Sequence, residues 1–239
     1  MQLCIDIGNT TIKYALFSKR KLTHKSVSDT FDEAVLLKLV LAYQPDTAMV
    51  SSVRPIPKSW LRVLEKATKT TVLTHKTSLP IRLDYRTPET LGRDRIAVAV
   101  AGFSKYPQQN TLIINAGTCI TFDIINDKGV YKGGAISPGI EMRYKAMNKL
   151  TAKLPYVTNR TPVRITGKST EESMNAGVLN HLCYEIEGAI QFYSSHFNQL
   201  NVILTGGDSS FLAKRLKNSI FAAPNLVLTG LNEILIYNA

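Results

Sequence analysis

The sequence predicts an α/β protein that consists of two similar halves with a cleft between them. A short segment with the pattern of a hairpin and a glycine turn, residues 3–17, recurs about half a chain length later at residues 112–125. Each half also has an apolar stretch that ends in small residues, at 48–52 and at 202–207. Helical segments lie between these strands, and strands joined through crossover helices are typical of α/β sheets.

The first repeated segment has the alternating pattern of two strands around a tight turn. Apolar residues alternate over 3–7 and again over 12–16, and Gly8-Asn9-Thr10-Thr11 separates them. Such alternation on both sides of a glycine predicts a β-hairpin.

The second segment repeats this plan, with Asn115-Ala116-Gly117-Thr118 at the turn. Aligning the two segments pairs Asp6 with Asn115 and Gly8 with Gly117. The repeat places the boundary near the middle of the chain, so that the two predicted halves are residues 1–107 and 108–239. Periodicity predicts helices in the following segments: 31–43, 58–69, 94–106, 170–197 and 209–218.

Composition is that of an ordinary globular protein. Hydrophobic residues make up 44% and charged residues 20% of 239 residues. No apolar run reaches the roughly 18–20 residues of a membrane helix, and the N-terminus does not have the pattern of a signal peptide. Three cysteines, with none at C-x-x-C spacing, indicate buried thiols in a reducing compartment. We therefore expect a cytoplasmic protein with no membrane partner.

The formal net charge of +11 leaves two interpretations open. The basic residues are spread along the chain, which favours a solvated surface over a binding patch. The same charge could steer anionic small molecules toward the protein. Aromatic residues are not interleaved with a basic cluster, so a nucleic-acid partner is not expected.

The paired glycine turns indicate a phosphate site. Gly8 and Gly117 would let backbone N–H groups approach phosphate oxygens, and nearby threonines would add hydroxyl donors. The alternative is that each turn needs glycine only for a positive φ. One turn alone favours that alternative, whereas two turns in register favour phosphate.

The sequence argues against two other phosphate-binding motifs. Gly167-Lys168-Ser169-Thr170 resembles the end of a P-loop, but position 162, where a glycine is required, is Pro162. No G-x-G-x-x-G fingerprint follows a strand, which argues against a dinucleotide site.

The motifs as a set resemble those of type III pantothenate kinases. The match covers residues 1 to about 210, and each motif is short while their order and spacing are specific. The matching segments are Asp6–Lys13, Gly92-Arg93-Asp94-Arg95 for a G-x-D-R motif, Asn115–Thr118, Gly133–Gly139 and Thr205–Asp208.

This resemblance implies duplicated actin-like (ribonuclease H-like) domains with a nucleotide cleft between them. It implies transfer of the γ-phosphoryl group of ATP to the primary alcohol of pantothenate, the first step of coenzyme A synthesis. Mg²⁺ with ATP, a monovalent cation (K⁺ or NH₄⁺) and a homodimer are implied as well. The helix over 170–197 is the expected interface, because it carries apolar residues on more than one face.

Asp94 is the candidate catalytic residue, because an ionised carboxylate can accept the proton of the substrate hydroxyl. The alternative is that Asp94 only caps the helix that follows it. Arg93 or Arg95 could grip the pantothenate carboxylate with two guanidinium donors. The alternative is a surface arginine in the first turn of a helix, and this alternative has more weight for Arg93 than for Arg95. The resemblance adds Tyr85 and Gly92 to the substrate site.

The resemblance also places Thr170 against pantothenate, whereas the sequence alone suggests a capping box from Ser169 to Glu172. Asp6 is expected to hold Mg²⁺, Thr118 to contact phosphate, and Gly206 and Gly207 to let the backbone approach adenosine. The resemblance implies nucleotide contacts from Asp6, Ile7, Gly8, Asn9, Thr10, Thr11, Ile12, Lys13 and Thr118. For Lys13, strand alternation also permits a solvent position.

Asn115 departs from the family pattern, in which most members have an aspartate that helps to bind the monovalent cation. Asparagine keeps an oxygen ligand but lacks the charge, so weak or absent cation dependence is expected. Three alternatives to this function remain: another small-molecule kinase of the same fold, an accessory transcription regulator without kinase activity, and a nucleotide-binding sensor. The pair Asp6 and Asp94 favours an enzyme, because a regulator needs no base.

Overall fold

The computed structural model describes residues 1–161, 164–217 and 220–239. The strands are β1 (Gln2–Ile7), β2 (Ile12–Ser18), β3 (Lys21–Ser28), β4 (Thr47–Ser52), β5 (Lys69–Val72), β6 (Arg82–Leu83), β7 (Thr111–Ala116), β8 (Cys119–Ile125), β9 (Val130–Pro138), β10 (Asn201–Thr205) and β11 (Phe221–Ala222). The helices are α1 (Glu33–Tyr43), α2 (Lys58–Ala67), α3 (Arg93–Lys105), α4 (Ile140–Leu150), α5 (Thr170–Asn175), α6 (His181–His196), α7 (Ser209–Ala213) and α8 (Leu226–Tyr237).

Packing divides the chain into two compact units. The first unit comprises residues 1–108, 125–133 and 225–239. The second unit comprises residues 109–124 and 134–224. The predicted halves, 1–107 and 108–239, divide the chain by sequence order and stay a prediction. Each packed unit is instead made of separate segments of the chain, because the C-terminal helix packs with the first unit.

The first unit has a sheet in the order β3-β2-β1-β4-β5. β1 pairs antiparallel with β2 and parallel with β4, and β4 pairs parallel with β5. The second unit has the corresponding order: β9-β8-β7-β10-β11, with β10 parallel to both β7 and β11. The N-terminal residues of β9 belong to the first unit, where they pair with β6. The same strand order in both units confirms the duplicated α/β plan.

The C-terminal helix α8 was not predicted from the sequence. It is apolar on most sides, so its pattern lacks the periodicity that identifies a surface helix. It packs on α3, β1 and β4 of the first unit. A Cβ at Gly230 would lie 1.8 Å from the Ala97 carbonyl oxygen, so glycine permits the close contact of α8 with α3.

The predicted helix over 170–197 is interrupted. It begins at Thr170 as α5, passes through a π-helical turn at Ala176–Asn180, and continues as α6 to His196. The segment predicted over 209–218 is shorter in the structure, because α7 ends at Ala213 and the Arg215 amide closes a tighter turn onto Leu212. The end of that prediction, Asn218, lies outside the described residues.

Candidate active site

The first glycine turn connects β1 and β2. The Gly8 amide donates to the Thr11 carbonyl at 3.0 Å, and a Cβ at Gly8 would lie 2.9 Å from that oxygen. Asn9 and Thr10 at the tip are exposed. Gly8 does not have a positive φ, so a close backbone contact, not a left-handed conformation, requires glycine here.

The second glycine turn differs from the first, because no contact with a described residue requires glycine there. Gly117 also lacks a positive φ, and a Cβ there would meet described atoms no closer than 3.8 Å. The fold of this unit therefore does not require glycine at position 117. Because both φ angles are negative or extended, the alternative that the turns need glycine for a positive φ is wrong.

Two further glycines bring backbone segments against the second turn. The Gly139 amide, at the start of α4, donates to the Thr118 carbonyl at 3.1 Å, and a Cβ at Gly139 would lie 2.2 Å from the Gly117 oxygen. Gly206, with φ +95°, passes so close to Ala116 that its Cβ would lie 2.2 Å from the carbonyl oxygen. Thr118 remains exposed at the tip. The arrangement leaves an open turn next to a helix N-terminus, which suits an anion.

Two carboxylates and one ammonium group lie together in the first unit. Lys13 is paired with Asp6 across the β1–β2 ladder, and Ser51 is paired with Asp6 on the other side through β4. Asp6 is 8% exposed. Burial and the neighbouring Asp94 raise the pKa of Asp6 to about 6, although Lys13 and Ser51 act in the opposite direction. The register therefore places Lys13 beside the carboxylates, a question that the sequence left open.

Asp94 lies in the first turn of α3 and is half-buried. Burial raises its pKa, while the Arg95 amide, the Arg95 guanidinium and Lys13 act to lower it. Gly92 occupies the N-cap position, so Asp94 is not the N-cap residue, although the first-turn amides of Asp94 and Arg95 interact with its carboxylate. A Cβ at Gly92 would lie 2.7 Å from Asp94 Oδ1, so glycine leaves the space that this carboxylate occupies.

The residues of the first unit fit a hydrated Mg²⁺ ion. Asp6 Oδ1 is buried and accepts no hydrogen bond from any described residue, which leaves a hard oxygen ligand available. Among the described residues there is no cluster of three metal-binding side chains. Mg²⁺ does not need one, since it keeps several waters and binds substrate phosphates through one or two carboxylates.

The two arginines of the G-x-D-R motif have different environments. Arg95 is 5% exposed and is close enough to affect the charge of Asp94. Arg93 is half-buried, and its guanidinium donates to carbonyl oxygens of the loop before α3. Arg95 therefore lies next to the candidate base, whereas the Arg93 guanidinium donates hydrogen bonds to main-chain carbonyl groups.

Tyr85 and Thr170 lie in different units. The Tyr85 ring is 6.0 Å from the Tyr131 ring, and a Cβ at Gly133 would lie 3.6 Å from it. Thr170 is exposed at the start of α5 and lines a pocket of about 670 Å³ in the second unit. Ser169 caps α5 by accepting a hydrogen bond from the Glu172 amide at 3.2 Å, which confirms the first half of the predicted capping box. The Glu172 carboxylate accepts from the Lys168 amide at 2.7 Å in place of the Ser169 amide, and the Thr170 hydroxyl is not needed for the cap.

A second pocket, of about 430 Å³, adjoins the motif in the first unit. It is lined by residues 52–55 and 89–93. One of these segments follows Ser51, which is the β4 partner of Asp6, and the other precedes Asp94 in the chain. The pocket is therefore bordered by chain segments next to both carboxylates. Its volume is in the range of small-molecule sites.

Sequence reasoning gave no site role to Ser51 or Gly139. Ser51 was part of an apolar stretch that ends in small residues, and only the β1–β4 register places it beside Asp6. Gly139 was one of several motif glycines, and its distinct feature is the contact with the second turn. In each case the signal is a contact between segments that are distant in the chain.

We expect that replacing Arg95 with alanine raises KM for the phosphate acceptor and leaves kcat nearly unchanged, if its guanidinium binds the acceptor. Loss of a charge-assisted hydrogen bond of about 1.5–3 kcal/mol corresponds to a KM increase of roughly 10- to 100-fold. Steady-state kinetics measure this effect, and circular dichroism shows whether the buried position tolerates alanine. Unchanged kinetics would refute a binding role.

Comparison with known proteins identifies the family. The family model described as type III pantothenate kinase matches residues 2–191. A type III pantothenate kinase from Cytophaga hutchinsonii is 45% identical over 239 residues, with 100% of both chains covered. One from Christiangramia forsetii is 44% identical over 242 residues and covers 100% of this chain and 99% of the relative.

Solved structures show the same fold at low identity. A Campylobacter jejuni protein described as a Baf family transcriptional activator has a TM-score of 0.65 at 21% identity, covering 99% of this chain and 98% of that one. A hexokinase from Thermus thermophilus has a TM-score of 0.53 at 13% identity, with 99% of both chains covered. Among the described helices, none combines the length and the apolar character of a membrane span. The fold is that of the actin- and hexokinase-like ATPases, and the chain belongs to the type III pantothenate kinase family.

Proposed function

We propose that this protein transfers the γ-phosphoryl group of ATP to the primary alcohol of pantothenate, the first step of coenzyme A synthesis. Family membership supports this reaction, with ATP and a divalent metal as the family implies. The observation that carries the proposal is the convergence of Asp6, Lys13 and Asp94 beside the first glycine turn.

In the proposed reaction Asp94 accepts the proton of the pantothenate hydroxyl. The alcohol oxygen forms a bond to the γ-phosphorus, and the bond from that phosphorus to the bridging oxygen of ADP breaks. Burial raises the pKa of Asp94, and Arg95 and Lys13 partly offset this in favour of the ionised form, which a proton acceptor requires. Phosphoryl transfer has a loose transition state, so positioning and charge stabilisation account for most of the catalysis.

The first turn and Asp6 are proposed to hold the nucleotide phosphates. Asp6 would bind hydrated Mg²⁺, which neutralises charge on the phosphate oxygens when it is bound. Lys13 would add a positive charge on the same side of the sheet. Thr118, at the open tip of the second turn, is proposed to donate its hydroxyl to a phosphate oxygen, and Gly206 and Gly207 to allow close approach of adenosine.

The acceptor is proposed to occupy the pocket of about 430 Å³ in the first unit. Its lining ends at Arg93, directly before Asp94 in the chain, which suits an alcohol that must reach the base. Arg95 and Tyr85 do not line this pocket, and they are proposed, from the family resemblance, as acceptor contacts beyond its edge. Thr170 is proposed to contact pantothenate from a partner protomer. We also propose that the enzyme is cytoplasmic, where ATP is available and its three unpaired cysteines stay reduced.

A homodimer is proposed through the face of α6. Tyr184 and Phe192 are 54% and 59% exposed on this helix, and exposed aromatic side chains are enriched in protein interfaces. Sedimentation velocity at micromolar concentration measures the assembly state. A monomer under these conditions would contradict the proposal.

We expect a shallow or missing K⁺ activation curve, because Asn115 stands where most family members have aspartate. Asn115 is half-buried in β7, paired with Thr205 on β10, so a neutral amide occupies the position. Initial rates measured against KCl, with tetramethylammonium chloride at constant ionic strength as the control, test this. Asn115→Asp should steepen the curve, and strong saturable activation of the wild type would show the expectation to be wrong.

An assay that couples ADP formation to NADH oxidation, run with and without pantothenate, tests the function. ADP formation that depends on pantothenate supports the kinase, and loss of that dependence in Asp94→Asn assigns it to this site. Equal ATP hydrolysis in both conditions would favour a nucleotide sensor, and no ADP formation would favour a regulator. Neither alternative is favoured by the family and its named members, and the likeness to the Campylobacter protein shows fold alone.

A further inference from the structure

The Arg93 side chain connects the start of α3 to the loop before it. Its Nη1 atom donates to the carbonyl oxygens of Leu91 at 3.0 Å and Pro88 at 3.3 Å, and Nη2 donates to that of Glu89 at 2.9 Å. A guanidinium group holds its donors in a rigid planar fork. These contacts therefore fix the positions of three carbonyl groups relative to the first turn of the helix.

The rest of this loop is ordered by its own contacts. The Thr90 amide and hydroxyl donate to the Thr87 carbonyl at 3.1 and 3.0 Å, which closes a turn. Leu91 is 2% exposed and anchors the loop in the core of the first unit. Arg93 adds the link between this turn and α3, so the turn and the helix start are held as one structure.

The held segment leads directly to the candidate base. Gly92 is the N-cap of α3, and the space between its Cα and Asp94 Oδ1 is too small for a methyl group. A small displacement of the loop would therefore move the Asp94 carboxylate. A misplacement of about 1 Å at a reacting group can cost about 10²-fold in rate.

We propose that Arg93 is a positioning residue that fixes the direction of the Asp94 carboxylate, and that it forms part of the wall of the pocket of about 430 Å³ without gripping the carboxylate of the substrate. Three of the five guanidinium N–H groups donate to the carbonyl oxygens of Pro88, Glu89 and Leu91, so the main chain holds this side chain in place. The inference rests on the proposed function, because it assigns Asp94 the role of base. It replaces the expectation that Arg93 grips the carboxylate of pantothenate.

Steady-state kinetics of Arg93→Gln test the proposal. The expected result is a kcat lower by about 10- to 100-fold, with KM for pantothenate changed by less than about threefold. Arg86→Gln, on an exposed arginine earlier in the same loop, is the matched control and is expected to behave as the wild type. A raised KM with unchanged kcat in Arg93→Gln would overturn the proposal.

A double-mutant cycle with Asp94→Asn separates positioning from general structural damage. If Arg93 acts through Asp94, Arg93→Gln should lower the residual kcat of Asp94→Asn by less than about twofold. If the two losses multiply in full, Arg93 acts independently of Asp94 and the inference is wrong.

Arg93→Lys serves as the second variant if Arg93→Gln does not fold by circular dichroism. Lysine keeps the positive charge that a substrate carboxylate would need but cannot reproduce the planar fork. It is expected to lose kcat as glutamine does, and wild-type kcat in this variant would overturn the inference. A wild-type protein that forms no ADP with pantothenate would contradict the proposed function itself, which separates the two failures.

Discussion

Asp94→Asn should fold normally and lose about 10²–10⁴ in kcat, the range for removal of a general base. This loss corresponds to roughly 3–5 kcal/mol of activation free energy at about 1.36 kcal/mol per decade. Asparagine has nearly the shape of aspartate, so it fits the space that Gly92 leaves beside the side chain. What it lacks is the capacity to accept the hydroxyl proton.

The structure makes this a test of catalysis more than of stability. The N-cap of α3 is Gly92, and asparagine keeps a side-chain oxygen that can accept from the first-turn amides beside Asp94. Burial raises the pKa of Asp94, which indicates that the ionised carboxylate is not stabilised by its position in the free protein. The substitution should therefore leave the melting temperature nearly unchanged or raise it slightly.

Stopped-time assays of ADP and phosphopantothenate formation measure the change in kcat, and circular dichroism confirms the fold. Asp29→Asn, on an exposed aspartate, is the control for the effect of the substitution itself and should retain activity. A kcat near that of the wild type in Asp94→Asn would remove Asp94 from the catalytic role.

Asp6→Asn should abolish most activity and at the same time stabilise the free protein. In the proposed site, loss of the negative oxygen ligand would weaken the binding of Mg²⁺ and its nucleotide. In the protein without nucleotide or metal, however, the buried carboxylate has a pKa of about 6, well above its ordinary value. The ionised side chain is thus disfavoured in the folded state, and neutral asparagine avoids that cost.

The sign of the pH dependence follows from the raised pKa. An acid with a higher pKa in the folded state binds its proton more tightly there, so its burial costs nothing below the unfolded value. The cost grows as pH rises from about 4 to about 6 and is complete above that. At pH 7.5 Asp6→Asn should exceed the wild type by about 1–3 kcal/mol in the free energy of unfolding, at about 1.36 kcal/mol per pKa unit.

Urea unfolding of both proteins at pH 4.5 and pH 7.5, with EDTA present, measures this difference. The stability gain of Asp6→Asn should be large at pH 7.5 and much smaller at pH 4.5. Asp29→Asn replaces an exposed carboxylate and should show no stability gain at either pH. An Asp6→Asn protein that is less stable than the wild type at pH 7.5 would contradict the conclusion that burial disfavours the ionised form of Asp6.

Local sequence patterns were sufficient for much of the fold. The alternation over 3–7 and 12–16 predicted β1 and β2, because apolar residues at every second position are typical of a strand. The alternation did not predict that β1 is buried on both faces. The helix starts at Lys58 and Thr170 were also predicted, from amphipathic periodicity and from capping chemistry. The helix α8 was missed, because a helix buried on most sides has no polar face to mark its period.

The sequence by itself determined the repeated strand-and-turn plan, the G-x-D-R motif and the family resemblance, all of which are encoded in short segments. Only the tertiary structure decided that Lys13 lies beside Asp6 and that the Arg93 guanidinium donates to main-chain carbonyl groups. Only the tertiary structure, too, places Asp94 close enough to Asp6 to help raise the pKa of Asp6. The physical reason is that burial and electrostatic interaction depend on the distance between side chains. Strand register and packing set that distance, and they join segments that are far apart in the chain.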